Sequence, residues 1–288
     1  MHETQPIILY HGDCLDGFSA AYAAWKKFGD DARYIPLERG GALPEGLDDR
    51  DLYFLDFTYE RKDMDHFVRI ARSVTVLDHH SGVREVTEAM PQFVFDNNRS
   101  GAVIAWNYFH PDVPVPSLLS HIQDDDIFTY ALEDTRAIIC YLSVQEFTFS
   151  SWDKMVALLE NPDTRETFLR TARIYAEYFE LLAALAVEKA KLISFEGYEC
   201  YFATAHPFKP MKSLVGNLLT KKKGPIALVV SAHPCGFGVS IRGDGSVDVS
   251  HIAQKYGGNG HKNSSGFLIP ADGKMPWTLL EDHENSSN

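Results

Sequence analysis

Asp78-His79-His80 directly follow Val74-Thr75-Val76-Leu77, an apolar, β-branched run that reads as a buried strand. A carboxylate and two imidazoles therefore stand where a strand ends and its loop begins, the edge at which open α/β sheets place their chemistry. Similar residues occupy similar positions elsewhere. His11, Asp13 and Asp16 follow the apolar run at 7–10, Asp56 follows the run at 52–55, and Asp124-Asp125-Asp126 follow a helical stretch at 117–123. Singly, each has an ordinary explanation: a helix N-cap for Asp13 or Asp16, a structural role for Asp56, a solvated acidic face for the three adjacent aspartates. Together they set oxygen ligands and imidazoles on successive strand ends, which converge on one edge of a parallel sheet. Several Asp with two or three His suit Mn²⁺ or Mg²⁺, or Fe²⁺ or Co²⁺, better than a structural zinc. Two such ions roughly 3.5–4 Å apart clamp a phosphate and activate water at neutral pH.

The elements that must carry these residues can be read from the hydrophobic pattern. Residues 6–10, 33–36, 51–57, 73–77 and 92–95 read as strands, and 15–28, 59–71 and 101–109 as helices. The alternation predicts an α/β fold whose N-terminal part is a mostly parallel sheet flanked by helices. After prolines at 111, 114 and 116, a helical region runs from 117 to about 160. Neither Gly nor Pro occurs between Pro162 and Gly197. Residues 164–193 read as one long helix, roughly 45 Å at 1.5 Å per residue. It is a candidate connector, with an ordinary packed helix inside one domain as the alternative. Strands at 200–204, 226–232, 236–242 and 266–269, with helices at 212–220 and 249–256, predict a smaller C-terminal α/β domain. The expected organisation is a metal-binding domain at 1–160, a helical connector at 161–196, a substrate-binding domain at 197–280 and a polar tail at 281–288.

The 288-residue chain carries a net charge of −13 and a pI near 5.3. That argues against a protein gripping long DNA or RNA through a basic surface. Either the substrate is small, or positive charge is supplied locally and by metal ions. With 45% hydrophobic residues the chain can bury substantial cores. Cys14, Cys140, Cys200 and Cys235 have no Cys-x-x-Cys spacing, so neither a zinc knuckle nor a redox dithiol is indicated. Scattered thiols fit a reducing compartment. No run approaches the ~20 apolar residues of a membrane span, and the polar N-terminus lacks a signal-peptide pattern. The expectation is a cytoplasmic protein without a membrane partner.

At this point the residues resemble the DHH superfamily of phosphoesterases, named for its Asp-His-His motif. The resemblance covers most of the chain. Besides the N-terminal clusters, the run from Gly257 to Phe267 (Gly-Gly-Asn-Gly-His-Lys-Asn-Ser-Ser-Gly-Phe) is similar to the G-G-G-H-x-x-A-A-G-F signature of the associated C-terminal domain. The resemblance implies two divalent ions, usually Mn²⁺, with Mg²⁺ or Co²⁺ as alternatives. His11, Asp13 and Asp56 would hold one; Asp16, Asp56, His79 and one carboxylate of Asp124–Asp126 the other, with Asp56 bridging. Asp124 is the favoured carboxylate of that run, and Asp126 the next. Asp78 would orient an imidazole from behind, and His80 would face the scissile phosphate as donor or general acid. The first motif departs from the family's H-x-x-x-D-x-D. Its loop is one residue shorter, which leaves the role of Asp13 open. Cys14 falls where it could approach a metal, although a small buried thiol is the ordinary reading.

In the C-terminal run, glycines let backbone amides approach an anion. Gly258, Gly260 and His261, with Arg242, would hold the substrate's terminal nucleotide. The implied activity is oligoribonuclease-like: hydrolysis of phosphodiester or phosphomonoester bonds in short oligonucleotides or small nucleotides. Polyphosphate or pyrophosphate is the alternative substrate, and a catalytically weak nucleotide-binding sensor the alternative function. A base-stacking aromatic near Arg242, such as Phe237, would favour nucleotides. Long DNA is not an expected partner; the oligomeric state is open, a homodimer being one option.

Overall fold

Alternation within short apolar runs builds the first sheet. In the computed structural model, which describes residues 5–12, 14–38 and 40–281, β1 (Ile7–His11), β2 (Arg33–Leu37), β3 (Asp51–Leu55), β4 (Ser73–Asp78) and β5 (Gln92–Phe95) are all parallel. Their order is β2-β1-β3-β4-β5. Successive side chains of a strand point to opposite faces, and here both faces are covered. Ile8, Leu55 and Leu77 enter one core beneath α1 (Leu15–Phe28). Ile7, Leu9, Leu52, Phe54, Val74 and Val76 enter the other with Met64 and Phe67 of α2 (Arg61–Ile70). A short α3 (Arg84–Thr87) leads into β5. α4 (Gly101–Phe109) packs extensively on α1. Ala20, Ala21 and Ala24 of α1 and Ala102 and Ala105 of α4 are fully buried, and such small side chains let two helices approach closely.

The region expected to be helical from 117 to about 160 divides into α5 (Ser117–Asp126), α6 (Thr135–Leu142) and α7 (Phe149–Glu160). Phe128, Tyr130 and Asp134 take positive φ and break the first junction. At the second, the Thr148 hydroxyl caps α7 by accepting from the Ser151 amide. α8 (Pro162–Glu188) follows. Two compact units divide within this helix, one extending to Arg173 and the next beginning at Ile174.

The expected long helix overran its end by five residues. Residues 191–195 form β6 (Lys191–Phe195), which buries Ile193 and Phe195 and exposes Ser194, a period of two. β6 turns into β7 (Tyr198–Thr204) through Glu196 and Gly197, both at positive φ, the two-residue hairpin turn that matches strand twist. α9 (Lys209–Lys222) crosses to β8 (Ile226–His233), the parallel partner of β7. β9 (Gly236–Gly243), α10 (Val249–Lys255), β10 (Asn259–His261), β11 (Ser264–Pro270) and β12 (Thr278–Leu279) complete a mixed sheet ordered β10-β11-β9-β8-β7-β6-β12. The fold is therefore α/β, with a parallel N-terminal sheet and a second mixed sheet. Among the described residues no helix is long and apolar enough to cross a membrane.

Candidate metal centre

Strand register brings the candidate residues together. Tyr10, Leu55 and Leu77 are lateral neighbours in the sheet. One step further along their strands stand His11, Asp56 and Asp78, and the Asp56 amide still bonds Leu77 O at 2.9 Å. The sheet order reverses between β1 and β3, so this carboxyl edge is the switch-point crevice of a doubly wound fold. Asp56 takes a left-handed φ of 56°, a conformation that Asp tolerates better than most residues. It aims a carboxylate only 1% exposed at the imidazoles.

The two oxygens of Asp56 face two different groups. Oδ2 lies 3.3 Å from His11 Nδ1, and Cys14 joins this pair as a third donor. Oδ1 lies 3.1 Å from His79 Nε2 and 3.6 Å from His80 Nδ1, yet it is buried and accepts no hydrogen bond. His79 Nε2 is also 3.8 Å from Asp16 Oδ2 and 3.5 Å from Asp126 Oδ2. Ligand-type atoms of three sets, His11/Cys14/Asp56, Asp56/His79/His80 and Asp16/His79/Asp126, converge within 4.8 Å of one another in each.

Crowded carboxylates perturb one another. Burial and the neighbouring Asp56 and Asp126 raise Asp16 to a pKa of about 7. Burial also acts against the Asp56 anion, but His11, His79 and His80 outweigh it and hold the carboxyl below its ordinary range. Burial disfavours the His79 cation, yet Asp56, Asp16 and Asp126 raise its pKa to about 10. Hard oxygens, imidazoles and an orphaned buried oxygen make a donor set that fits a divalent cation.

Neighbouring elements hold these groups in place. Asp16 lies in the first turn of α1 and is 2% exposed. Its Oδ2 accepts from the Gly101 amide at 2.6 Å and its Oδ1 from Ala102 at 3.0 Å, the free donors of the α4 N-terminus. Gly101 has to be glycine: a Cβ there would stand 2.5 Å from Asp56 Cβ and 3.0 Å from Asp16 Oδ2. Asp78, fully buried, accepts the His79 and His80 amides on Oδ1 at 2.7 and 3.0 Å. His80 Nδ1 donates to the same oxygen at 2.8 Å, and Thr58 to Oδ2 at 2.5 Å. Burial pushes Asp78 up, but these bonds from His80 and Thr58 keep it below the usual carboxylate range.

The acidic run resolves against the favoured residue. Asp124 does not join the centre. It is 4% exposed and spent on the backbone beyond it: Oδ1 accepts from Thr129 and Ala131, Oδ2 from Leu132 and Thr135, at 2.6–3.1 Å. These bonds hold Asp124 at a pKa of about 2 against the cost of its burial. Asp126, two residues on at the end of α5, is the carboxylate beside His79. Asp13 lies outside the described residues. The anchoring roles of Gly101 and Thr58 escaped the sequence reading; Ser100 before Gly101, the N-cap of α4, was the available signal.

In the C-terminal unit, Arg242 is 7% exposed rather than a surface charge. It runs under α9, where Gly216 leaves a notch that a Cβ would close to 2.4 Å from Arg242 Cγ, and donates to Ser213 Oγ at 3.2 Å. The glycine run has a structural task. Gly257 N–H bonds Gln254 O and Gly258 N–H bonds Ala253 O, the paired bonds of a Schellman cap on α10. Gly260 N–H donates to Asn259 Oδ1 at 2.8 Å, and a Cβ at Gly260 would stand 2.5 Å from Ser265 Cα. The expected display of Gly258 and Gly260 amides to a phosphate is thus replaced by internal bonds. The side chain of His261 lies outside the described residues. Phe237 is five residues from Arg242 along β9 and so faces the opposite side of the sheet. It lines an apolar pocket of about 690 Å³ with Phe202, Met275 and Trp277.

No family model matches the chain. It is 27% identical over 305 residues to an uncharacterized protein of Acanthamoeba polyphaga mimivirus, covering 96% of this chain and 70% of that protein. Among solved structures it resembles the DHH domain of a member of a family of ribosomal proteins, with a TM-score of 0.56, 14% identity, and 92% and 82% of the two chains covered. An exopolyphosphatase-related protein of Bacteroides fragilis superposes with a TM-score of 0.54 at 14% identity over 94% and 88% of the chains. A pGpG-specific phosphodiesterase of Vibrio cholerae does so with 0.52 at 11% identity over 92% and 93%. The chain shares the fold of these solved structures, a DHH domain among them.

Proposed function

We propose that the protein is a divalent-metal-dependent phosphoesterase acting on short oligonucleotides or small nucleotides. The observation that carries this reading is the buried carboxylate of Asp56, whose two oxygens face separate donor groups as a bridging ligand does. His11, Cys14 and Asp56 would hold one Mn²⁺-class ion and Asp16, Asp56, His79 and Asp126 the other. Such ions, when bound, supply Lewis-acid charge to a phosphoryl oxygen and acidify water. His80, with Nδ1 tied to buried Asp78, offers Nε2 as the hydrogen-bond partner of a non-bridging phosphate oxygen. Water attacks phosphorus in line with the departing oxygen, which leaves as an alcohol or a second phosphate.

The location of Phe237 away from Arg242 keeps a second substrate class in play, since no aromatic from β9 stacks beside that guanidinium. Polyphosphate is that alternative. The deciding experiment is hydrolysis of a ribo-dinucleotide, a ribo-pentanucleotide, adenosine 3′,5′-bisphosphate, a cyclic dinucleotide and tripolyphosphate, each with Mn²⁺ and with EDTA, beside His79→Ala. Metal-dependent cleavage lost in the variant is the expected result. Binding without turnover of any member would replace the enzyme by a nucleotide sensor.

A further inference from the structure

The junction that separates α5 from α6 carries two aromatics in strained backbone immediately beyond Asp126. Phe128 has φ 58° and Tyr130 φ 46°, a conformation costly for bulky side chains and uncommon outside Gly, Asn and Asp. Burial does not offset the cost at Phe128, whose side chain is 44% exposed. The strain is held from beneath. The Asp124 carboxylate accepts from Thr129, Ala131, Leu132 and Thr135, while Phe128 N–H bonds Asp125 O at 3.2 Å. Tyr130 is fixed by its hydroxyl, which donates to Asp125 Oδ1 at 2.8 Å. The rings of Phe128 and Tyr130 meet edge-on with centroids 6.4 Å apart, and the Arg136 guanidinium lies 5.2 Å over the Tyr130 ring. An exposed ring, a braced ring and a cation in series, two residues from a candidate ligand, form the kind of platform on which nucleic-acid bases stack.

We propose that Phe128 is a specificity-determining residue, stacking on the nucleobase next to the phosphate that engages the metal centre, with Tyr130 and Arg136 backing it. The inference rests on the phosphoesterase reading and narrows it to base-bearing substrates. Strain in an unburied aromatic points from an observed backbone outlier to a ligand-facing role. Asp124 then acts as a positioning residue, bracing the loop rather than binding metal.

The test compares AMP with ribose 5-phosphate, which presents the same phosphate without the ring, by calorimetry on Mn²⁺-loaded protein. Wild type binds AMP more tightly than ribose 5-phosphate. Phe128→Ala loses roughly 5- to 150-fold of AMP affinity, the range that stacking supplies per base. Ribose 5-phosphate, lacking the ring, loses nothing comparable, and Phe128→Trp restores AMP binding. Phe128→Leu, which keeps apolar bulk without a π face, follows the alanine variant. Equal AMP affinity in wild type and Phe128→Ala overturns the platform, as does a wild type that fails to distinguish the two ligands. The parent reading is scored separately by Mn²⁺-dependent cleavage of a ribo-dinucleotide in the wild type: its failure removes the enzyme, whereas failure of the AMP comparison alone removes only the stacking residue.

Discussion

Replacing Gly101 by Ala tests whether the α4 N-terminus sets the geometry of the centre. A Cβ at 101 would fall 2.5 Å from Asp56 Cβ and 2.9 Å from its Cγ. Carbon–carbon contact needs about 3.5–4.0 Å, so the Asp56 side chain or α4 must retreat by ~1 Å. Ligand positions around a cation tolerate only about 0.2 Å, and a 1 Å misplacement of reacting groups costs on the order of 100-fold in rate. Overpacking should cost about 1–3 kcal/mol, against a gain of up to ~1 kcal/mol from replacing a helical glycine. The expected result is Mn²⁺ affinity reduced at least ~10-fold and dinucleotide hydrolysis reduced about 100-fold, with stability lowered by at most a few kcal/mol in urea melts. Gly82→Ala is the control, because a Cβ there meets nothing within 4 Å. Wild-type Mn²⁺ affinity and turnover in Gly101→Ala, with an unchanged melt, would refute the assignment of Gly101 as the wall of the site.

Three further outcomes follow from the same geometry. Asp126→Asn should weaken Mn²⁺ binding in calorimetry with little change in melting, whereas Asp124→Ala should destabilise by on the order of 3 kcal/mol, because two amides and two hydroxyls lose their acceptor; the reverse pattern would exchange their roles. Mn²⁺ should raise the melting temperature by relieving the Asp16/Asp56/Asp126 cluster, the gain corresponding to about 2.7 kcal/mol at a hundred times the dissociation constant, and an Asp56→Asn protein that gains as much as wild type would count against the site. Arg173 donates bidentately to Asp134 at 2.7 and 2.6 Å and holds that carboxyl below its usual range. Its contribution is therefore complete above the unfolded value of about 3.9 and is lost as pH falls through the folded one. Thermal melts from acid to neutral pH should show Arg173→Gln less stable near neutrality and less sensitive to acid, and parallel curves for the two proteins would refute the pairing's role.

The centre of the first sheet was legible because β1, β3 and β4 are largely buried on both faces and therefore appear as continuous apolar runs ending in chemistry-bearing residues. Residues 15–28 and 101–109 are helical as their pattern dictates. The β6 hairpin was hidden because Lys191–Phe195 continues a segment free of Gly and Pro, and its only turn signal, Glu196-Gly197, falls after the strand. The break between α5 and α6 was hidden for a related reason: it is made by Phe128, Tyr130 and Asp134 in left-handed backbone, with no glycine to announce it. At the candidate centre, spacing along strands singled out His11, Asp56, Asp78, His79 and His80, which strand register brings to one edge. It could not choose between Asp124 and Asp126, because the choice depends on where the following loop sends its amides. The glycine run misled for the same physical reason that made it conspicuous. Glycine serves a helix cap and a close strand crossing as readily as an anion.

The shared row Tyr10–Leu55–Leu77 makes the ladder a measuring device for the chemistry beyond it. One residue added inside β3 would advance Asp56 by ~3.3 Å relative to His11 and turn its side chain to the other face. One residue added to α2, or to the turn by which the chain enters β4, leaves those distances untouched. Change in chain length is thus cheap at the amino edge of the sheet and ruinous within its strands. The molecule can lengthen its helices and acquire new surface while its reactive centre keeps the same internal spacing.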